Sequence, residues 1–300
     1  MLWVDTDFGF DDLWALLILK TRDVAPAGVS LVAGNAPFSQ VTANALGANL
    51  AYGLSLPLFV GADRPLVREA ETATAILGPK GMRSLGQELP EVPSDADLPP
   101  ALPALINWLE SAREGETRDI LALGPLTNIA RLIEVAPEAA AKITRLVWMG
   151  GSNGPGNHTP HAEYNAFADP EAVSIVAQSG LPFDVIDLTL CRKVQFTAAD
   201  CPSCDQLTAD LLGGYLQIAQ ERGRESMSIY DPVAAFAHLD PASFVFLPAH
   251  MHVTTERGSH YGATHFDPTS TSRTRLATAA PADLSGQCLG ALSQDRNHGH

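Results

Sequence analysis

Short apolar runs alternate with segments of helical periodicity along most of the chain. The apolar runs fall at residues 2–4 (LWV), 29–33 (VSLVA), 57–60 (PLFV), 119–123 (DILAL), 146–149 (LVWM) and 183–186 (FDVI). Helical spacing of apolar positions occupies residues 13–20, 41–54, 101–114, 126–135 and 170–179. Strands alternating with helices predict parallel βαβ units. Strands that are apolar almost without interruption predict a sheet covered on both faces. The expected fold is therefore α/β: one open, mainly parallel, doubly wound Rossmann-like sheet with helices on both faces. Residues 250–267 read as a late β-hairpin, residues 87–103 as a Pro- and acid-rich surface loop, and residues 293–300 as a frayed polar tail. No repeat or linker divides the chain, so residues 1–300 read as one domain.

Composition narrows what such a fold could serve. At 46% hydrophobic and 18% charged residues, the chain is too apolar to be a disordered acidic protein. Its 300 residues can bury a large core without disulfides. With 19 Lys and Arg against 34 Asp and Glu, the net charge is −15. That sign argues against binding nucleic acid, which requires a basic surface, and against adhesion to anionic membrane. No run of about 18 apolar residues predicts a membrane span. The opening MLWVDTD has no basic stretch leading into an apolar one, so no signal peptide is expected and the expected location is the cytoplasm. The four cysteines include one Cys201-x-x-Cys204 pair, but no second pair completes a zinc site. They read as structural or incidental thiols.

The acidity is concentrated at one place. Residues 5–12 read DTDFGFDD, four aspartates in eight positions directly after the first strand. One aspartate here would serve as a helix cap. Four would repel and raise one another's pKa unless a cation joined them. Asp5 and Asp7, two apart on an extended strand end, should point to the same side. Gly9 should let the chain turn back and bring Asp11 and Asp12 towards Asp7. Oxygen-only ligands select Ca²⁺ or Mg²⁺ over zinc. The carboxyl end of a strand is also where open α/β sheets place ligands.

Two families open in this manner. Haloacid-dehalogenase-like phosphohydrolases share the DxD, but they also need a later Ser or Thr, a Lys and a distal acidic pair. The fuller pattern resembles the nucleoside hydrolases of the inosine-uridine-preferring type, whose signature is close to DxDPGxDD; here Phe8 stands where that signature has proline. The resemblance continues in order through Gly34-Asn35, Gly124-Pro125-Leu126-Thr127-Asn128, Met149-Gly150-Gly151, Gly156-Asn157 with Ala162-Glu163-Tyr164-Asn165, Asp169-Pro170-Glu171-Ala172 and Tyr230-Asp231-Pro232. Any one of these matches is weak, whereas the ordered set is specific and spans most of the chain.

The resemblance implies the nucleoside hydrolase fold and Ca²⁺-dependent hydrolysis of the N-glycosidic bond of ribonucleosides to base and ribose, a salvage reaction. It implies Ca²⁺ ligands from the side chains of Asp7, Asp12 and Asp231 and from the carbonyl of Leu123. It implies that Asp7 takes a proton from the attacking water. Asp11, Asn35, Met149, Asn157, Glu163 and Asn165 would hold the ribose. A homodimer or homotetramer is implied as well. The chemistry agrees: an oxocarbenium-like sugar is stabilised by carboxylates and amide dipoles, and a cation makes water more acidic.

The base side departs from the family pattern. Members resemble one another in two histidines that activate the leaving group or touch the base. Here one position reads Leu77-Gly78 and the other is Tyr230. All nine histidines lie at or after His158. Tyr230 could donate a proton or stack on a base, or simply pack. His158 and His161 flank the loop bearing Asn157 and Glu163 and could approach the base. Replacing proline by Phe8 is expected to loosen the acidic turn. The alternative reading is a non-catalytic nucleoside or ribose binder.

Overall fold

The computed structural model describes residues 1–92 and 98–293. Part of the expected 87–103 surface loop and the expected frayed tail after residue 293 lie outside the described residues. Among the described residues the chain builds a nine-stranded sheet. Its strands are β1 (Leu2–Thr6), β2 (Gly28–Leu31), β3 (Leu58–Val60), β4 (Asp119–Ala122), β5 (Arg145–Met149) and β6 (Phe183–Ile186). A two-stranded ribbon of β7 (Gln195–Phe196) and β8 (Met227–Ser228) stands apart. β9 (Val245–Val253), β10 (Thr264–Pro268) and β11 (Thr274–Ala279) complete the large sheet. The order is β10-β9-β11-β6-β5-β4-β1-β2-β3.

β1 to β6 pair in parallel, and β11 joins β6 in parallel. β9 runs antiparallel to both β10 and β11, which is the expected late hairpin extended at its start. Every residue of β1 is buried. Leu2 and Val4 join one apolar layer and Trp3 the other, as a strand sandwiched between helices requires. The helices Phe10–Thr21, Gln206–Gln220 and Asp231–Leu239 contribute to the first layer. Ala101–Glu110, Thr127–Val135 and Pro170–Gln178 contribute to the second.

The six expected strands and five expected helices are all present, with boundaries displaced by a few residues. The helix Gln206–Gln220, the helix Asp231–Leu239 and β11 had no counterpart in the sequence reading. No helix among the described residues is long and apolar enough to cross a membrane. All four cysteines are free. Burial raises the thiol pKa of Cys201, and it pushes that of Cys204 up to about 11, so neither is an activated thiolate.

The strand order reverses between β1 and β4. The chain moves outward from β1 through β2 to β3, then returns to the other side of β1 and moves outward through β5 and β6. The helices flanking such a switch point diverge and leave a crevice at the carboxyl ends of the strands. Asp7 follows β1, Leu123 follows β4 and Met149 closes β5, so all three meet at that crevice.

Candidate active site

The crevice has an acidic floor. Asp7, Asp11 and Asp231 line it, with Asp12 just beneath. Asp11 and Asp12 occupy the first turn of the helix Phe10–Thr21, and Asp231 opens the helix Asp231–Leu239. Carboxylate oxygens of Asp11, Asp12 and Asp231 lie within 4.8 Å of one another. Asp12 is fixed by Thr6 Oγ1, which donates to Oδ1 at 2.5 Å, and by the Gly9 N–H, which donates to Oδ2 at 2.8 Å. Asp7 Oδ2 accepts the Asn35 N–H at 2.7 Å.

The floor is electrostatically crowded. Burial, reinforced by the negative charge of Asp12, pushes the Asp11 carboxyl up to about 7. Burial and the neighbouring aspartates raise Asp7 and Asp231 well above the usual carboxylate range. Burial also raises Asp12, whose carboxylate stands close to that of Asp231. Like charges packed this closely in a buried place call for a counter-charge. The donor set is oxygen alone, which fits a hard divalent cation. The tight triad contains Asp11 where the resemblance implied Asp7 as a ligand; Asp7 lies beside it, within electrostatic reach of Asp11 and Asp12.

The acidic turn differs from its expected form in two respects. Its left-handed residue is Phe8, with φ of 47°, whereas Gly9 has φ of −80°. Gly9 is required for space: a Cβ there would stand 2.7 Å from Asn35 Nδ2 and 3.1 Å from Asp11 Oδ1. Nor is the turn loosened by Phe8. Its ring is fully buried, its N–H donates to Thr6 Oγ1 at 3.0 Å, and its carbonyl accepts from Asn44 Nδ2 at 3.2 Å. Proline, confined to φ near −65°, could not adopt this conformation.

Asp5 also departs from expectation. It does not share Asp7's side of the strand end and does not line the crevice. Its Oδ1 accepts from Ser30 Oγ and, at 2.8 Å, from Asn128 Nδ2, while Oδ2 is buried without a partner. Asn128 in turn donates to the Leu31 carbonyl and accepts the Ala62 N–H. Asp5 thus ties β1, β2 and the chain after β3 together beneath the floor.

The wall beside the floor is amide-rich. Asn35, Asn157, Glu163, Asn165 and Met149 all line the crevice. Asn165 Nδ2 donates to the carbonyls of Leu123 at 2.8 Å and Met149 at 3.0 Å. Glu163 caps the helix Tyr164–Ala168, and its carboxylate accepts the N–H groups of Gly151, Asn165 and Ala166. Burial nonetheless raises its pKa to about 7. Asn157 Oδ1 accepts the Tyr164 N–H at 3.0 Å. These side chains therefore shape their loop and face the crevice at once.

The opposite wall adds further residues to Leu77 and Tyr230. Ile76 and Leu77 meet Tyr215 and Ile218 of the helix Gln206–Gln220, with Met227 and Tyr230 closing the end. Tyr215 Oη donates to Asp11 Oδ2 at 3.3 Å, and Tyr164 Oη donates to the carbonyls of Gly34 and Glu71. Burial pushes Tyr230 up to about 12, so its phenol stays protonated. His158 reaches the lining, where its Nε2 lies 3.0 Å from Glu71. His161 does not; it stacks on His260 with ring centroids 4.0 Å apart. Tyr215, Arg222 and Arg224 carried no signal in the sequence that marked them as site residues.

A family model described as inosine-uridine preferring nucleoside hydrolase matches residues 2–285. The pyrimidine-specific ribonucleoside hydrolase RihA of Enterobacter sp. (strain 638) is 32% identical over 304 residues, covering 98% of this chain and 96% of that protein. The non-specific ribonucleoside hydrolase RihC of Escherichia coli O127:H6 is 33% identical over 270 residues, covering 89% and 88%. Among solved structures, the plant nucleoside hydrolase PpNRh1 superposes with a TM-score of 0.86 at 24% identity, covering 98% of each chain. The purine-preferring ribonucleoside hydrolase from Gardnerella vaginalis gives 0.86 at 23% identity, covering 97% of this chain and 98% of that one.

Proposed function

The chain belongs to the inosine-uridine preferring nucleoside hydrolase family, and we propose that it hydrolyses the N-glycosidic bond of ribonucleosides, releasing base and ribose, with Ca²⁺ as its cation. The observation that carries this reading is one crevice in which Asp7, Asp11 and Asp231 face the amide-rich wall of Asn35, Asn157 and Asn165.

Asp7, Asp12, Asp231 and the Leu123 carbonyl, with Asp11 adjoining, are the residues that would hold the cation. When bound, the cation supplies a positive charge that acidifies a water molecule and orients sugar hydroxyls. Asp7, kept in position by the Asn35 N–H, accepts the proton of the attacking water. The C1′–N bond breaks and its electron pair departs with the base. The sugar passes through an oxocarbenium-like state. Carboxylate and amide oxygens of Asp11, Asn157 and Glu163 stabilise that positive charge because they are already oriented when it develops. Asn35, Asn165 and Met149 complete the ribose pocket. Tyr230 contacts the base, either donating its phenolic proton or offering its ring.

The same reading takes residues 1–300 as one catalytic domain, working in nucleoside salvage in the cytoplasm as a homodimer or homotetramer. The family resemblance supports these points, and light scattering of the purified protein tests the last. A second reading, a nucleoside binder without turnover, is favoured by one feature: Leu77 lines the crevice where family members have a histidine. Ribose release across inosine, uridine, cytidine and adenosine with Ca²⁺ present separates the two. Calorimetric binding with no ribose released from any of them would establish the binder.

A further inference from the structure

Four of the nine histidines crowd into residues 250–267, and none of these four lines the crevice. His260 lies in the turn, stacked on His161. The other three stand on β9 and β10, which pair antiparallel with His252 opposite His265 and His250 opposite Asp267. Side chains alternate faces along a strand, so these four project from one face. It is the outer face: Met251 and Phe266 are buried in the second apolar layer, whereas His250, His252, His265 and Asp267 are exposed. The carboxylate of Asp267 already gathers imidazoles from both strands. Its Oδ1 lies 2.8 Å from His265 Nε2, and its Oδ2 lies 3.2 Å from His252 Nε2.

We propose that His250, His252, His265 and Asp267 form a second cation site, for a divalent transition-metal ion of the Zn²⁺ class, which clasps β10 to β9. Directly opposite residues of an antiparallel pair have Cβ atoms about 5 Å apart and diagonal neighbours about 7 Å, within reach of long side chains. The three imidazoles can therefore address one point above the ribbon, with Asp267 as the fourth ligand. Imidazole and carboxylate in a set of four suit Zn²⁺ and its transition-metal neighbours, whereas Ca²⁺ takes oxygen ligands. At the floor, three ligand atoms lie within 4.8 Å of one another; the hairpin set closes only when its side chains turn inward. His252 and His265 are 61% and 68% exposed, so no packing opposes that turn. The clasp has a strand to hold. β10 is the outermost strand of the sheet and pairs on one side only. Its first residue, Thr264, exchanges two hydrogen bonds with Ser152 in the loop that follows β5. An ion across the two strands would fasten the strand that braces this loop.

The test titrates the full chain with Zn²⁺ by calorimetry, with Ca²⁺ saturating so that the acidic floor does not compete. Wild type should bind one Zn²⁺ with Kd on the order of 10 μM, since ordering four exposed side chains consumes much of the gain. H252Q/H265Q, its fold checked by circular dichroism, should bind at least about 100-fold more weakly, the upper end of what loss of an outer-shell partner costs. C201S/C204S and H298Q/H300Q should bind as wild type does. Amide exchange supplies the second readout. At tenfold excess of Zn²⁺ over Kd, the amides of residues 250–253 and 264–267 should exchange about 11-fold more slowly in wild type and at an unchanged rate in H252Q/H265Q. Equal affinity in H252Q/H265Q, or no binding at tenfold the expected Kd, would overturn the site. Binding lost instead in C201S/C204S or in H298Q/H300Q would place the ion on those residues and overturn it too. Binding that leaves amide exchange unchanged would overturn the clasp.

Discussion

One side chain, Asn165, bridges the carbonyls that end two neighbouring strands: its Nδ2 donates to Leu123 at 2.8 Å and to Met149 at 3.0 Å. The Leu123 carbonyl has a second lone pair, which remains for the floor. Asn165→Ala leaves both buried carbonyls short of a donor. The expected cost is about 2 kcal/mol in urea unfolding and a fall of about 100-fold in kcat/KM, because the floor carbonyl is no longer held. Full activity in this variant would assign Asn165 to packing alone.

Asp7 is the proposed proton acceptor, and Gly34 leaves it room: a Cβ at residue 34 would approach Asp7 Oδ2 to 2.0 Å. Asp7→Asn should lower kcat by a factor of about 1,000 or more while the circular dichroism spectrum is retained. Gly34→Ala should impair turnover by displacing the same carboxylate. Retained kcat in Asp7→Asn would move the proton to another group.

Phe8 occupies a left-handed conformation in a position where relatives are expected to have proline. Restoring the family residue should therefore harm the protein. Phe8→Pro forces φ away from +47°, removes the N–H bonded to Thr6 and empties an aromatic site, an expected loss of about 3 kcal/mol or more. A raised unfolding midpoint would refute the backbone account of this turn.

The floor couples cation binding to protons. Burial raises the pKa values of Asp11 and Glu163 to about 7, from ordinary carboxylate values near 4. A group with a raised folded pKa stabilises the cation-free protein below its unfolded pKa, and that contribution disappears as pH climbs through the folded value. The cation-free protein should lose stability between about pH 4 and 7 from this source, and binding Ca²⁺ should expel protons over the same window. At 100-fold excess over Kd, Ca²⁺ adds about 2.7 kcal/mol, on the order of 5 °C in Tm. The Tm difference between chelator and Ca²⁺ should grow from pH 5 to pH 8. Equal differences at both pH values would contradict the coupling.

His238 works in the opposite sense. Burial lowers its pKa from 6.5 to about 4, and its Nδ1 has no partner. The unfolded chain takes up a proton below pH 6.5 that the folded one refuses until about pH 4, so stability falls as pH drops through that interval. The upper limit is about 3 kcal/mol. Denaturant midpoints at pH 7 and pH 5 should differ less in His238→Gln than in wild type.

The parallel strands were legible because burial on both faces leaves an apolar run that polar neighbours delimit, as in FDVI at β6. The acidic turn was legible because four carboxylates so close in sequence exceed what a helix cap requires, although Asp5 proved to be a structural tie. What periodicity could not reveal was which aspartate serves the floor: Asp5 lies within β1 and its carboxyl turns into the sheet, whereas Asp7 lies past the strand's last residue, where alternation no longer applies. The Gln206–Gln220 helix was obscured by Gly213-Gly214 at its centre, which lowers helix propensity. Arg222 and Arg224, interspersed with glutamates, looked like ordinary surface; only tertiary packing brings them over the crevice.

The two walls of that crevice have different origins in the chain. The wall proposed to face the sugar is assembled from the ends of β1, β4 and β5 and the loop carrying Glu163, where a change disturbs several elements at once. Most of the wall proposed to face the base comes from one continuous stretch, residues 215–230, joined to the floor at Tyr215 and tied at its outer turn by the Glu221–Arg83 ion pair. Selection can therefore act on the two halves of the substrate separately. A lineage could exchange one nucleobase for another by redrafting sixteen consecutive residues while inheriting its sugar chemistry unaltered, and a protein engineer seeking a new specificity has the same short passage to rewrite.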